Sequence, residues 1–359
     1  MAEMSVLPKR LDSKTSRSCP DFSSTRKHQT KIRILVYHCL IALIGLISVP
    51  FVSGAQDSQP SQIGSGEEFT LKMKVNLVIL SATVLDRHNT PVSGLDKGDF
   101  QVYEDKQLQQ IKQFSHDDIP ITVGILVDNS GSMGPKRDDV IAAALAFARS
   151  SNPQDQMFVV NFNDRVSFGL PPGMPFTNQH EELQLALSRI RTIGQTSLYD
   201  GIAAALDHLK QGNSDKKVLI LISDGGDNAS KHNLIQVLGM AKQNTAIIYA
   251  IGIFDEQDDD QNPSVLRRMA RETGGEAFFP ESSKEVVSIC EGIARDIRSQ
   301  YTLAYVPTIA EEDGSYRTVE VRASAHGRGR LSVRTRAGYS VPQAKPVGAA
   351  KVIVHDSSN

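Results

Sequence analysis

One heptapeptide concentrates the chemistry. Asp128-Asn129-Ser130-Gly131-Ser132-Met133-Gly134 carries a carboxylate and two hydroxyls at alternate positions. Three oxygen donors on one short loop suit a hard divalent cation such as Mg²⁺ or Mn²⁺. Only Asp128 brings a full charge to that loop, so an ion held there stays under-neutralised and recruits water or an outside anion. Two other loops offer partners. In Gly194-Gln195-Thr196-Ser197, Thr196 adds an oxygen, and in Asp224-Gly225-Gly226-Asp227, Asp224 adds a second carboxylate that acts through water. Asp227 reads as a turn residue. Asp and Ser ahead of a helix also serve as N-caps, and taken alone the heptapeptide fits capping as well as binding. The three loops together, in this order, point to metal binding.

The elements that must position these loops follow from hydrophobic periodicity. Ile121 to Val127 is a continuous apolar run, as a strand buried on both faces requires. It is followed by an Ala-rich helix over 137–149. Strands are expected at 157–162, 218–223, 247–253 and 277–279. Helices are expected at 181–190, 198–209, 234–243, 264–273 and 284–298. Alternation at this spacing predicts an α/β fold with a doubly wound, mostly parallel sheet. The three oxygen-bearing loops then all fall at the carboxyl edge of that sheet, where open α/β folds bind ligands.

The flanks change period. Residues 67–116 and 300–340 alternate like β strands, with turns at Asp86–Asn89, Asp313-Gly314 and His326-Gly327. Each flank is too small to bury a face alone, so the two are expected to form one small β module. The expected division is an N-terminal signal or anchor over 1–55 and a linker over 56–66. The N-terminal β segment covers 67–116, the α/β domain 117–299 and the C-terminal β segment 300–340, with a loose tail over 341–359.

The α/β part resembles the von Willebrand factor A-type (VWA) family. That family carries a metal-ion-dependent adhesion site built from Asp-x-Ser-x-Ser after the first strand, a Thr on a Gly-x-Thr loop, and a late Asp in a Ser-Asp-Gly stretch. Asp128, Ser130 and Ser132 match the first element, Thr196 the second and Asp224 the third. The resemblance covers about residues 119–299. It implies a doubly wound fold and a metal-dependent protein-binding function. The flanks are similar to the exported VWFA-related Acidobacterial domain proteins, through Val92-Ser93-Gly94-Leu95, Asp99-Phe100 and Arg336-Ala337-Gly338-Tyr339. That second likeness implies no particular ligand.

Composition narrows the function classes. The chain of 359 residues has a net charge of −2, unevenly spread. Residues 1–33 carry eight Lys/Arg and three Asp/Glu, and no charged residue lies between 34 and 55. An acidic remainder from Gln56 onward argues against nucleic-acid binding, which needs a basic face. Lys27, Lys31 and Arg33 precede the apolar run 34–52, which closes on Ser53-Gly54-Ala55. This is the pattern of an export signal cleaved before Gln56, although the run also nears the length of a membrane anchor. Export places the protein in the periplasm, on the envelope or outside the cell.

Of the three cysteines, Cys19 and Cys39 fall in the leader, so cleavage leaves Cys290 alone as a buried apolar residue. The acidic stretch Asp255 to Asp260 lacks the spacing of a calcium loop and reads as solvated. No zinc pattern occurs among the nine His residues. Neither a Gly-x-x-x-x-Gly-Lys loop nor a Gly-x-Ser-x-Gly elbow is present, and no general base stands out beside the metal loops. The expectation is therefore a non-enzymatic module that captures an Asp or Glu carboxylate of an unidentified partner protein. The alternatives are a Mg²⁺-dependent hydrolase and a structural module that binds no metal.

Overall fold

A computed structural model describes residues 77–189, 191–254, 260–282, 284–309, 313–341 and 343. The expected export segment, the linker, most of the acidic loop and most of the tail lie outside the described residues. Four strands open the described chain: β1 (Val78–Leu85), β2 (Phe100–Glu104), β3 (Gln107–Gln109) and β4 (Ile111–Ser115). The alternating part begins with β5 (Thr122–Asp128), α1 (Arg137–Ser150), β6 (Gln156–Phe162) and β7 (Val166–Phe168). It continues with α2 (His180–Ser188), α3 (Leu198–His208), β8 (Lys217–Ser223), α4 (Leu234–Asn244) and β9 (Ile247–Gly252). It closes with α5 (Pro263–Thr273), β10 (Ala277–Phe278) and α6 (Glu285–Arg298). The last strands are β11 (Tyr301–Tyr305), β12 (Tyr316–Ala323), β13 (Ser332–Arg334) and β14 (Gly338–Ser340).

The central sheet has the order β10-β9-β8-β5-β6-β7. All neighbours are parallel except β7, which returns antiparallel on the edge. The architecture is the doubly wound, mostly parallel sheet expected from the alternation. Every residue of β5 is buried, because β6 and β8 flank it and helix side chains such as Phe147, Ile202 and Ile293 share its core. Gly124 in mid-strand is required by packing: a Cβ there would meet the Phe158 ring at 2.5 Å and Leu219 at 2.7 Å. α4 starts on an Asn233/Gln236 capping box and α5 on Asn262 followed by Pro263, both strong start signals.

Strand β7 carried no legible signal. It is three residues long, and its hairpin is set by Asn163, whose side-chain oxygen accepts the Arg165 N–H at 3.1 Å. The loop after β5 also differs from a plain turn. Gly131–Lys136 forms a 3₁₀ helix leading into α1.

The flanking strands build two four-stranded antiparallel sheets, β13-β1-β11-β4 and β14-β12-β2-β3. Each sheet interleaves strands from both flanks: β1 pairs with β11 and β13, and β2 pairs with β12. Neither flank closes a sheet by itself, which is the physical reason they form one module. Their shared core includes Leu80, Val84, Phe100, Val102, Tyr301, Leu303 and Val321. Pairing runs slightly beyond the expected end at 340, since Val341 N–H donates to Ser315 O at 2.8 Å and Asp313 bridges Gln343.

Two polar clusters hold this arrangement. Inside the β module, Glu104 accepts from the Tyr305 hydroxyl at 2.6 Å, the Tyr339 hydroxyl at 2.8 Å and Arg317 at 3.0 Å. At the contact with the α/β part, Arg334 of β13 pairs with both Asp296 of α6 and Glu276. There the Tyr249 hydroxyl donates to Asp296 at 2.6 Å, and Gln300 bridges Tyr249 and Thr83. Cys290 is buried, as expected for an inert thiol, and burial pushes its pKa up to about 12. Among the described residues no helix is long and apolar enough to cross a membrane. The apolar run 34–52 falls outside them.

Candidate metal centre

β5 delivers Asp128 at its carboxyl end, and β8 delivers Ser223 and Asp224 one strand away. The two carboxylates therefore converge because their strands are neighbours in register. Asp128 is 2% exposed and Asp224 3% exposed. A chain of short bonds links them. Ser130 and Ser132 hydroxyls lie 3.2 Å apart, and the Ser132 hydroxyl donates to Asp224 Oδ2 at 2.8 Å. The backbone N–H of Ser130 donates to Asp128 Oδ1 at 2.9 Å.

Thr196, on the loop before α3, is brought in by its backbone. Its N–H donates to Asn228 Oδ1 at 2.9 Å, and its carbonyl accepts from the N–H groups of Asn228 and Ala229 at 3.0 and 3.1 Å. The same loop meets the first one where Gly131 N–H donates to Gly194 O at 3.1 Å. Gly194 has φ +88°, and an added Cβ would lie 2.2 Å from Asp164 Oδ2, so only glycine fits. All five expected residues thus sit on three mutually bonded loops at one sheet edge. Asp227 accepts from Tyr199 N–H at 3.3 Å and so caps the start of α3, a role different from the turn residue expected.

Burial pushes the Asp128 carboxyl up to about 6, and the nearby Asp224 charge pushes in the same direction. Bonds from Ser223 and Ser130 act the other way without cancelling the rise. Neither carboxylate has a Lys or Arg ion pair among the described residues. Two buried acids with no protein cation between them favour an outside cation. Among the described residues no cluster of three or more His, Cys, Asp or Glu occurs. Any ion at this edge must therefore draw on hydroxyl oxygens as well as carboxylates. The donor set is all oxygen and fits a hard divalent ion. Ser132 is suited to such a role because its proton goes to Asp224, leaving a lone pair beyond the one that faces the Ser130 hydroxyl.

Several supporting residues escaped the sequence reading. Ser223 is fully buried; its hydroxyl donates to Asp128 Oδ2 at 2.7 Å and accepts from Gly225 N–H at 3.0 Å. Its only proton is thus committed to orienting Asp128. Asn129 bonds Asn161 Oδ1 at 3.0 Å, and Arg137 donates to Asn129 Oδ1 at 2.7 Å and to Thr192 Oγ1 at 3.0 Å. Arg137 also reaches the Leu187 and Ser188 carbonyls at the end of α2. One guanidinium therefore braces the Asp128 loop against the Thr196 loop. A local signal existed for Ser223 alone, as the residue preceding Asp224.

A buried, parallel-sheet edge with an Asp-x-Ser-x-Ser turn, a Thr loop and a late Asp is now in place. Residues 122–291 match the von Willebrand factor type A domain. The matched region takes in all five residues above. Solved structures similar to the chain include a von Willebrand factor type A protein from Catenulispora acidiphila, 13% identical, with a TM-score of 0.44 over 74% of this chain and 73% of that one. Another is proximal thread matrix protein 1 from the mussel byssus, described with a zinc-occupied MIDAS motif. It is 18% identical, with a TM-score of 0.45 over 54% of this chain and 49% of that one. A third is an aerotolerance-related membrane protein from Bacteroides fragilis, 14% identical, with a TM-score of 0.40 over 49% of this chain and 98% of that one. No curated protein matches the chain.

Proposed function

We propose that the chain is an exported protein-binding module whose VWA region captures a partner carboxylate through a bound divalent cation, Mg²⁺ or Mn²⁺. The supporting observation is the pair of buried carboxylates, Asp128 and Asp224, joined through Ser132 and lacking a protein countercharge among the described residues. In this reading Asp128, Ser130, Ser132 and Thr196 hold the ion. Asp224 acts from the outer shell by accepting the Ser132 proton. Neutral hydroxyls leave the ion electron-poor, so an Asp or Glu side chain of a partner is the best remaining ligand. The VWA region is an interaction and adhesion module, and the chain is read as non-enzymatic.

The test uses the full chain, immobilised and exposed to envelope extract in Mg²⁺ or in chelator, with Asp128→Ala alongside. A partner retained by wild type in Mg²⁺, and lost both in chelator and with Asp128→Ala, is the expected result. Equal retention in chelator defeats metal-dependent capture.

Export is part of the same proposal. It rests on the basic leader, the apolar run 34–52 and the Ser53-Gly54-Ala55 close, with the flanking likeness to the exported Acidobacterial proteins in support. N-terminal sequencing of the native protein is expected to begin at Gln56. A start near Met1, in the membrane fraction, establishes an uncleaved anchor instead.

A further inference from the structure

Ile193 is 66% exposed, on the loop that joins α2 to α3 and carries Thr196 three residues later. Single exposed apolar residues are ordinary on protein surfaces, so exposure alone decides nothing. What distinguishes Ile193 is how firmly its backbone is held beside the candidate metal loops. Its N–H donates to Asn129 O at 2.9 Å, and the next carbonyl, Gly194 O, accepts from Gly131 N–H at 3.1 Å. On the far side, Gln195 N–H donates to Asp164 Oδ1 at 2.7 Å. Just before it, the Thr192 hydroxyl accepts from Arg137 at 3.0 Å. Every residue from 192 to 195 is thus tied down, two of them directly to the Asp128–Ser132 loop.

A β-branched side chain on a pinned backbone has little conformational freedom left to lose. Covering it with an apolar group therefore returns most of the hydrophobic gain. The neighbouring rim residues Gly131, Asp164, Gly194 and Gln195 are exposed and offer no competing apolar surface. We propose that Ile193 is a specificity-determining contact: the partner segment presents its carboxylate beside an apolar side chain, which packs on Ile193 while the carboxylate reaches the ion. This rests on the metal-capture reading above and deepens it by naming the partner's chemistry.

The test compares two capped tripeptides of equal charge, acetyl-Leu-Asp-Leu-amide and acetyl-Ser-Asp-Ser-amide. Each is titrated by NMR into the full chain in Mg²⁺, with the Mg²⁺ affinity measured separately by calorimetry. Wild type is expected to prefer the Leu peptide by about tenfold. Ile193→Ser is expected to lose that preference at unchanged Mg²⁺ affinity, and Ile193→Val to keep most of it. Equal binding of both peptides to Mg²⁺-loaded wild type overturns the role of Ile193 and leaves metal capture standing. A preference that survives in Ile193→Ser does the same. Failure to bind Mg²⁺, or binding of Mg²⁺ without either peptide, overturns the underlying reading and the inference with it.

Discussion

Asp128→Ala is expected to weaken Mg²⁺ and Mn²⁺ binding by at least about a hundredfold, because it removes the one charged ligand proposed to contact the ion directly. The expectation follows from charge. Asp128 is the carboxylate of the first loop, and both its oxygens are already oriented, Oδ1 by Ser130 N–H and Oδ2 by the Ser223 hydroxyl. Without it, neutral hydroxyls and a carboxylate proposed to act from the outer shell through Ser132 are left to face a doubly charged ion. Asp224→Ala is expected to cost less, about ten- to a hundredfold, as outer-shell partners of metals do.

The fold is expected to persist in both variants. In Asp128→Ala two effects oppose each other. The Ser223 hydroxyl and Ser130 N–H lose an acceptor, while a desolvated carboxylate repelled by Asp224 is removed. The pH dependence has a definite sign. Asp128 is held up to about 6 by burial and by Asp224, so protons compete with the cation and affinity falls as pH drops through that value. Calorimetry with both metals, alongside circular dichroism, checks this. Equal metal affinity in wild type and Asp128→Ala would sink the metal centre.

Arg317→Met is the second large effect, on stability this time. Arg317 and Glu104 side chains are 5% and 4% exposed, so the pair is dry. Among the described residues, the substitution leaves the Glu104 carboxylate with the phenol hydroxyls of Tyr305 and Tyr339. Breaking a buried ion pair from one side costs about 3–5 kcal/mol. Urea unfolding of the full chain reads this as a lower midpoint. The double variant Glu104→Leu with Arg317→Met is expected to recover more than half of the loss, because no unpaired charge then remains. Glu104 lies in the N-terminal flank, whereas Arg317, Tyr305 and Tyr339 lie in the C-terminal one. The experiment therefore also tests whether the two flanks fold as one unit. A loss below about 0.5 kcal/mol, the level of an ordinary surface change, would mean that the cluster does not hold them together.

The sequence by itself determined what local pattern can carry. The apolar run before Asp128, the Ala-rich stretch after Lys136 and the later alternation specify a parallel sheet, because burial on both faces demands continuous apolar strands. Asp128, Ser130 and Ser132 are legible as a site since all three lie on one five-residue turn. Asp224 is legible because it opens the loop after a strand of the same sheet, and Thr196 because it closes a Gly-x-Thr loop just before a helix. Even the merger of the two β flanks follows from their inability to close separately.

Tertiary structure alone decided the rest. That Ser223 spends its proton on Asp128, 95 positions away, depends on β8 lying beside β5. The Arg137 brace depends on α1 passing the end of α2, and the Glu104 cluster on β2 lying beside β12. The three-residue strands β3 and β7 had too few side chains for any period to show, and their partners define them. In each case the deciding energy is a hydrogen bond or ion pair between residues distant in sequence, and its geometry exists only after the chain has packed.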